Sequence, residues 1–278
     1  MSQIAARSLL FVPGDRPDRF AKAERSGADG IVLDLEDAVA PDRKAIARSS
    51  AVEWLAARPG FVRINAHDSG WHEDDLESLA AAHELTGVII AKCESTTDVE
   101  RVRTKLPQAS IIALVESAVG VLQAPAIARS PGVDRLAFGS IDFALDARIR
   151  PTPDEPELEL ARSTIVLASR AAGLPSPLDG VHADLRGSYP LTRNSRRSWD
   201  RGFGGRLCVH PDQVDAVNAA YGPTDNEIEW AKRVLAAARH HEGGAFRFEG
   251  RMVDRPVIEL ARLYATDADS SVSSCRKS

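Results

Sequence analysis

Glu116 and Asp142 stand at the ends of two apolar runs separated by a helical stretch. The first run, Ile111-Ile112-Ala113-Leu114-Val115, leads straight into Glu116. The second, Leu136-Ala137-Phe138, passes through Gly139-Ser140 to Asp142. Continuous apolar runs with a helix between them read as parallel strands buried on both faces. The C-terminal edge of such strands is where α/β folds hold ligands and metals. Two carboxylates there suit a hard divalent cation such as Mg²⁺, which takes one or two protein carboxylates and fills its other positions with water and substrate. The same side chains would also serve as helix caps or loop ion pairs, so the other strand ends decide between the readings.

Strand-like runs recur at Ser8–Pro13, Gly30–Glu36, Phe61–Asn65, Gly87–Lys92, Ser110–Ser117 and Arg135–Ser140, with weaker ones at Pro177–Val181 and Arg206–His210. Stretches such as Asp42–Arg58, Asp74–Leu85 and Asp98–Leu106 carry apolar residues at helical spacing. Eight strands alternating with helices predict closure into a (β/α)8 TIM barrel, with a doubly wound open sheet as the second choice. Against the open sheet, the first strand is followed by Pro13-Gly14-Asp15-Arg16-Pro17 and not by a GxGxxG turn. The strand ends are polar throughout: Asp34, Glu36 and Asp37, then Arg63 and Asn65, Lys92, Glu116, Asp142 and His210. Carboxylates gathered at one barrel mouth are costly unless a cation and arginine compensate them, which favours a metal site.

The 278-residue length is near the ~250 of a typical barrel of this kind. A net charge of -5 argues against nucleic acid as a partner. No apolar run reaches the ~20 residues of a membrane span, and the N-terminal stretch lacks the apolar core of a signal peptide. The three cysteines, Cys93, Cys208 and Cys275, form no CxxC pair, so a reduced, cytoplasmic enzyme is expected.

The domain reading is a barrel over 1–222 carrying the metal and substrate site, a lid segment over 223–265 and a disordered tail over 266–278. Within the lid, Thr224 caps a helix to Arg239 with Glu227 completing a capping box. Ala245–Asp254 reads as a hairpin or irregular segment and Arg255–Tyr264 as a last helix entered through Pro256.

Several ordered motifs carry a resemblance. They are Arg7-Ser8-Leu9-Leu10-Phe11-Val12-Pro13-Gly14, Leu33-Asp34-Leu35-Glu36-Asp37-Ala38-Val39, Val62-Arg63-Ile64-Asn65 and Leu114-Val115-Glu116-Ser117-Ala118-Val119-Gly120. Phe138-Gly139-Ser140-Ile141-Asp142, Gly202-Phe203-Gly204-Gly205, His210-Pro211 and Gly250-Arg251-Met252-Val253-Asp254 follow. In this order they resemble the citrate lyase beta-subunit-like family, the acyl-CoA lyases of the HpcH/HpaI aldolase superfamily, from Arg7 to about Tyr264. The resemblance implies a TIM barrel, a Mg²⁺ ion and an acyl-CoA or acyl-carrier-protein thioester substrate. It implies Glu116 and Asp142 as metal ligands, with Glu116 also facing substrate, and Glu36 and Asp37 supporting the metal through its waters. It makes Arg63 the receptor for the 2-oxo-acid carboxylate, a task for a planar fork of donors. Asp254 takes the place of the acid–base aspartate that a C-terminal lid supplies, often to a neighbouring subunit. Phe11, Arg19 and Lys22 fall where relatives bind coenzyme A, and a homo-oligomer, trimer or hexamer, is implied. Three departures stand out: Ala91 replaces a proline, Ser117 replaces a threonine, and the 184–198 segment is rich in arginine (Arg186, Arg193, Arg196, Arg197).

The chemistry implied is cleavage of a 3-hydroxyacyl thioester of the citramalyl-, malyl- or citryl-CoA type into acetyl-CoA and a 2-oxo acid, or the reverse condensation. The alternatives are a metal-dependent aldolase on a free hydroxy-oxo acid, a lyase subunit that needs an acyl-carrier partner, and a non-catalytic barrel. Residue by residue, simpler roles compete. Asp254 before Arg255-Pro256 is also an ordinary helix cap. Lys92 at a strand end is a possible Schiff-base lysine, although metal-type carboxylates favour a supporting polar role. His210 reads as a structural hydrogen-bonding residue at the rim.

Overall fold

The computed structural model describes residues 6–184, 188–241 and 244–275. Eight parallel strands close into a barrel: β1 (Ser8–Pro13), β2 (Gly30–Asp34), β3 (Gly60–Ile64), β4 (Leu85–Ile90), β5 (Ser110–Val115), β6 (Val133–Phe138), β7 (Leu178–Asp179) and β8 (Gly205–Cys208). Each pairs with the next, and β8 returns to β1 through Leu9↔Leu207. Helices α1 (Phe20–Glu24), α2 (Lys44–Trp54), α3 (His72–Leu79), α4 (Thr96–Lys105) and α5 (Ala118–Ala128) fill the crossovers as far as β6. Helices α6 (Ser140–Asp146), α7 (Glu159–Ala171), α8 (Ser188–Asp200) and α9 (Val214–Ala220) follow. This is the predicted (β/α)8 TIM barrel.

Alternation along the strands explains the unbroken apolar runs. Leu9, Val32, Phe61, Ile89, Ile112, Ala137, Leu178 and Leu207 fill the barrel interior. Their sequence neighbours Leu10, Leu33, Val62, Ile90, Ala113 and Leu136 pack outward in the layer shared with the helices. With both faces buried, a strand has no use for polar alternation. Phe61 is the bulkiest apolar interior side chain, and Gly87 makes room for it: a Cβ there would press on its ring at 3.1 Å and on the Ser110 carbonyl.

The seam around β7 is thin. The strand is two residues long, shorter than the expected Pro177–Val181, and pairs with β6 only at Ala137↔Leu178. Buried charges reinforce it. Arg135 donates to the Ser176 and Ala6 carbonyls (2.8 and 2.7 Å). Outside the sheet, Asp179 accepts from Arg206 (2.9 Å) and Arg162 (3.1 Å), and Arg206 also donates to the Gly180 carbonyl.

The chain divides into a barrel unit that runs to Tyr221 and a C-terminal unit that starts at Gly222. In the second unit, Thr224 caps α10 (Asp225–Ala238) through the expected capping box with Glu227. The antiparallel hairpin β9 (Phe246–Phe248) and β10 (Arg251–Val253) turns at Glu249-Gly250, both at positive φ (46° and 79°), as two-residue hairpin turns favour. Helix α11 (Arg255–Cys275) continues past Thr266, where the sequence predicts a disordered tail; residues 276–278 lie outside the described residues. Ala231, Val234, Phe246, Val253 and Ala261 form this unit's core. No helix among the described residues is long and apolar enough to cross a membrane.

Candidate metal and active site

Strand register brings the first charged pair together. Asp34 ends β2 and lies beside Arg63 in the β2–β3 ladder. The guanidinium grips it with two bonds, Nε to Oδ1 (2.7 Å) and Nη2 to Oδ2 (2.5 Å), and reaches Glu36 with Nη1 (2.9 Å). Asp34 also accepts the main-chain N–H of Glu36 and Ala38 (3.0 and 3.2 Å), so it anchors the turn after β2. Burial works against the Arg63 charge, but Asp34, then Glu36 and Glu116, hold it well above the ordinary arginine value. Phe11 lies under the guanidinium, 4.8 Å from ring centroid to Cζ.

Lys92 follows β4 with φ +49°, a left-handed conformation that costs a non-glycine residue roughly 1–2 kcal/mol. Two bonds hold it there. Its N–H donates to Glu116 Oε1 (2.7 Å), and Nζ donates to Glu36 Oε1 (2.5 Å). Burial lowers its ammonium value, yet the Glu36 bond and the surrounding carboxylates outweigh that, so it is raised overall. Asp37 is exposed and 3.9 Å from Nζ.

Glu116 leaves β5 fully buried, at 3% exposure, with Ser117 behind it as the cap of α5. A Cβ at Gly139 would fall on the Glu116 carboxylate, so the β6–α6 turn packs directly against it. Burial, and then the charge of Asp142, push the Glu116 carboxyl up to about 8. Asp142 sits half-buried in the first turn of α6. These two all-oxygen donors fit a hard divalent cation: a carboxyl raised by burial and by a neighbouring carboxylate is one that a bound cation would return to its charged form. Among the described residues, no group of three or more His, Cys, Asp or Glu side chains is arranged to hold a metal. Two carboxylates suit Mg²⁺, which keeps several waters.

The remaining predicted site residues fall in two places. Phe11, Arg19 and Lys22 line one cavity of about 340 Å³ with Val209, His210 and Pro211, between the ends of β1 and β8. His210 accepts the Asp212 N–H and caps the turn over Pro211–Gln213, the structural role read from sequence. Asp254 belongs to the C-terminal unit, where it is half-buried and accepts the Val257 N–H at a long 3.5 Å. Arginines of α8 pair locally, Arg193 and Arg197 with Asp154 and Arg196 with Asp200; Arg186 lies outside the described residues.

Sequence reasoning missed Lys44. It is 5% exposed and donates to the Leu35 and Glu36 carbonyls and to Asn65 Oδ1 (2.6, 2.8 and 2.7 Å). One signal was available: Lys44, Ala47 and Ala51 share the buried stripe of α2, at helical spacing.

The model of the HpcH/HpaI aldolase/citrate lyase family matches residues 7–211. A citrate lyase subunit beta-like protein from Deinococcus radiodurans is 37% identical over 272 residues, covering 92% of this chain and 95% of the relative. A (3S)-malyl-CoA thioesterase from Cereibacter sphaeroides is 33% identical, with 95% of each chain covered. Among solved structures, protein CitE from Mycobacterium tuberculosis in complex with magnesium, acetoacetate and coenzyme A matches with a TM-score of 0.87 and 36% identity, over 96% of this chain and 99% of that one.

Proposed function

The chain belongs to the HpcH/HpaI aldolase/citrate lyase family and is a carbon–carbon lyase; we propose that it cleaves a 3-hydroxyacyl-CoA of the citramalyl, malyl or citryl type, with Mg²⁺, into acetyl-CoA and a 2-oxo acid, or runs the reverse condensation. The observation that carries this reading is the buried Glu116 carboxylate, oriented by the Lys92 N–H (2.7 Å), with Asp142 in the first turn of the helix after the next strand and Arg63 fixed by Asp34. The magnesium, acetoacetate and coenzyme A of the Mycobacterium tuberculosis relative support the same choice of ligands.

Glu116 and Asp142 would hold the ion, which when bound supplies Lewis-acid polarisation of the oxo-acid carbonyl. Asp34 takes two of the guanidinium N–H groups of Arg63, and Glu36 pairs with Nη1. N–H groups that Asp34 does not take would meet the oxo-acid carboxylate, as a planar fork suits. Fixed donors of this kind stabilise charge that develops during reaction without reorganising. In cleavage the 3-hydroxyl gives its proton to the Asp254 carboxylate, the C2–C3 bond breaks with its electron pair left on C2 as the new carbonyl forms at C3, and Asp254 returns that proton to C2. In condensation Asp254 takes the proton from the acetyl methyl group and gives it to the alkoxide that forms at C3. The cavity at Phe11, Arg19 and Lys22 would take coenzyme A, the two cations meeting its phosphates. Glu36 and Asp37 would support the waters of the ion. The reading extends to a homo-oligomer, trimer or hexamer, with the segment after Gly222 as a lid, and to the cytoplasm, in keeping with the buried free thiols of Cys93 and Cys208.

The test is release of acetyl-CoA from citramalyl-, malyl- and citryl-CoA, with Mg²⁺ or with EDTA, for wild type, Glu116→Ala and Asp254→Asn. Cleavage of one thioester, lost with EDTA and in both variants, supports the proposal and names the substrate. Release of free coenzyme A without carbon–carbon cleavage would point to a thioesterase. Turnover that EDTA leaves intact would remove the metal from the mechanism.

A further inference from the structure

We propose that Lys44 is a positioning residue for the oxo-acid half of the site: its buried ammonium clamps the ends of β2 and β3 together and thereby aims Arg63 and Glu36. The inference rests on the reading of Arg63 as the carboxylate receptor.

The β2–β3 ladder ends at Asp34↔Arg63, followed by one further bond, from the Leu35 N–H to the Arg63 carbonyl (2.9 Å). Beyond that point Lys44 takes over. Nζ has three protons and meets three oxygens, two from the end of β2 (Leu35 and Glu36 carbonyls) and one from the end of β3 (Asn65 Oδ1). The Trp71 ring covers the ammonium at 5.0 Å. Three converging carbonyl-type oxygens suit a compact ammonium with rotatable donors, where a planar guanidinium would not fit.

The clamp is anchored on the far side. Asn65 donates to Asp75 Oδ2 from both its main-chain N–H (2.9 Å) and its Nδ2 (2.7 Å), and its carbonyl bonds His72 Nδ1 (2.8 Å). On the near side, the Glu36 main chain that Lys44 holds carries the carboxylate that bonds both Arg63 Nη1 and Lys92 Nζ. An apolar side chain would fill the same stripe of α2 without desolvating a charge, so the ammonium contributes through the oxygens it holds. Without it, the Leu35 carbonyl and Asn65 Oδ1 lose their donor, the Glu36 carbonyl keeps only the Val39 N–H (3.0 Å), and the main chain that presents the Glu36 carboxylate to Arg63 is held less firmly.

The experiment compares Lys44→Met and Asn65→Ala with wild type by calorimetric titration of pyruvate at saturating Mg²⁺ and, separately, of coenzyme A. Circular dichroism checks the fold. Groups that orient ligating side chains typically change affinity by about 10- to 100-fold when removed. The expected result is therefore a pyruvate Kd raised by about tenfold or more in both variants, with the coenzyme A Kd held within about twofold. Pyruvate affinity held within about twofold of wild type in a folded variant, or equal losses for both ligands, would overturn the proposal. Should Lys44→Met fail to fold, Asn65→Ala decides by the same criterion, since it keeps the charge and removes one arm of the clamp. Wild type that binds Mg²⁺ but no pyruvate would overturn the oxo-acid reading itself, and the clamp's role with it.

Discussion

The main-chain N–H of Lys92 donates to Glu116 Oε1 at 2.7 Å, tying the residue after β4 to the carboxylate after β5. The bond fixes one oxygen of Glu116 while Gly139 packs against the carboxylate from the next strand end. Orientation of the proposed ligand thus comes from two neighbouring strand ends, and the left-handed turn at Lys92 is part of that arrangement.

The first consequence concerns pH. In the metal-free protein the folded value of Glu116 lies above its ordinary 4.5, at about 8. Its contribution to stability is therefore complete below the unfolded value and is lost as pH rises through the folded one. A cation must expel the proton, so Mg²⁺ affinity should rise about tenfold per unit as pH approaches the folded value from below, then level off. Thermal unfolding with Mg²⁺ and with EDTA, between about pH 6 and about pH 8.5, measures this; the Mg²⁺-induced rise in Tm is expected to grow with pH. A pH-independent rise would show that Glu116 is not the ligand. Gly139→Ala should abolish the effect, because its Cβ would displace the carboxylate.

Lys92 is not expected to form a Schiff base. Its ammonium is raised and bonded to Glu36, whereas a nucleophilic lysine needs a lowered value. Borohydride reduction in the presence of pyruvate should leave the mass of the protein unchanged; a reduced adduct on Lys92 would contradict this.

Asp254→Asn should separate catalysis from binding. The asparagine keeps a side-chain oxygen for the Val257 N–H, so α11 retains its cap. Loss of a proton-transfer group typically costs about 10²- to 10⁴-fold. A fall of that size in kcat, with the Kd for Mg²⁺ and pyruvate unchanged, is the expected outcome; an unaltered kcat would leave Asp254 a cap and nothing more.

Asp179 offers a stability test away from the chemistry. Burial opposes its charge, but Arg206 and then Arg162 hold its carboxyl below the ordinary range, so its contribution is present at neutral pH and is lost as pH falls through the folded value. Asp179→Ala leaves the buried Arg206 guanidinium without its carboxylate, while Arg162 keeps Glu155 (2.6 Å), and the uncompensated charge should cost about 3–5 kcal/mol. Denaturant unfolding monitored by far-ultraviolet circular dichroism would read the loss, and a change below about 1 kcal/mol would mean that the β7 seam is held by other contacts.

The amino-acid sequence by itself determined the barrel, the strand ends at which Glu116 and Arg63 stand, and the capped start of α10, while Asp142 falls in the first turn of α6, past the end of β6. These features are local: an apolar run buried on both faces reads as a strand wherever it lies, and a Thr-to-Glu spacing of three caps a helix without reference to the rest of the chain. β7 escaped accurate bounds because two residues held by one β6 pair carry too little pattern. Only the tertiary structure decided who partners whom. Arg63 meets Asp34 across 29 residues, Lys92 meets Glu36 across 56, and Arg135 meets Ala6 across 129. Those pairings follow from register and from closure of the sheet, which set a side chain's neighbours by strand order. Lys44 shows the limit most clearly: its buried position on α2 was legible at helical spacing, but the three oxygens that make its charge tolerable exist as a group only once β2 and β3 lie side by side.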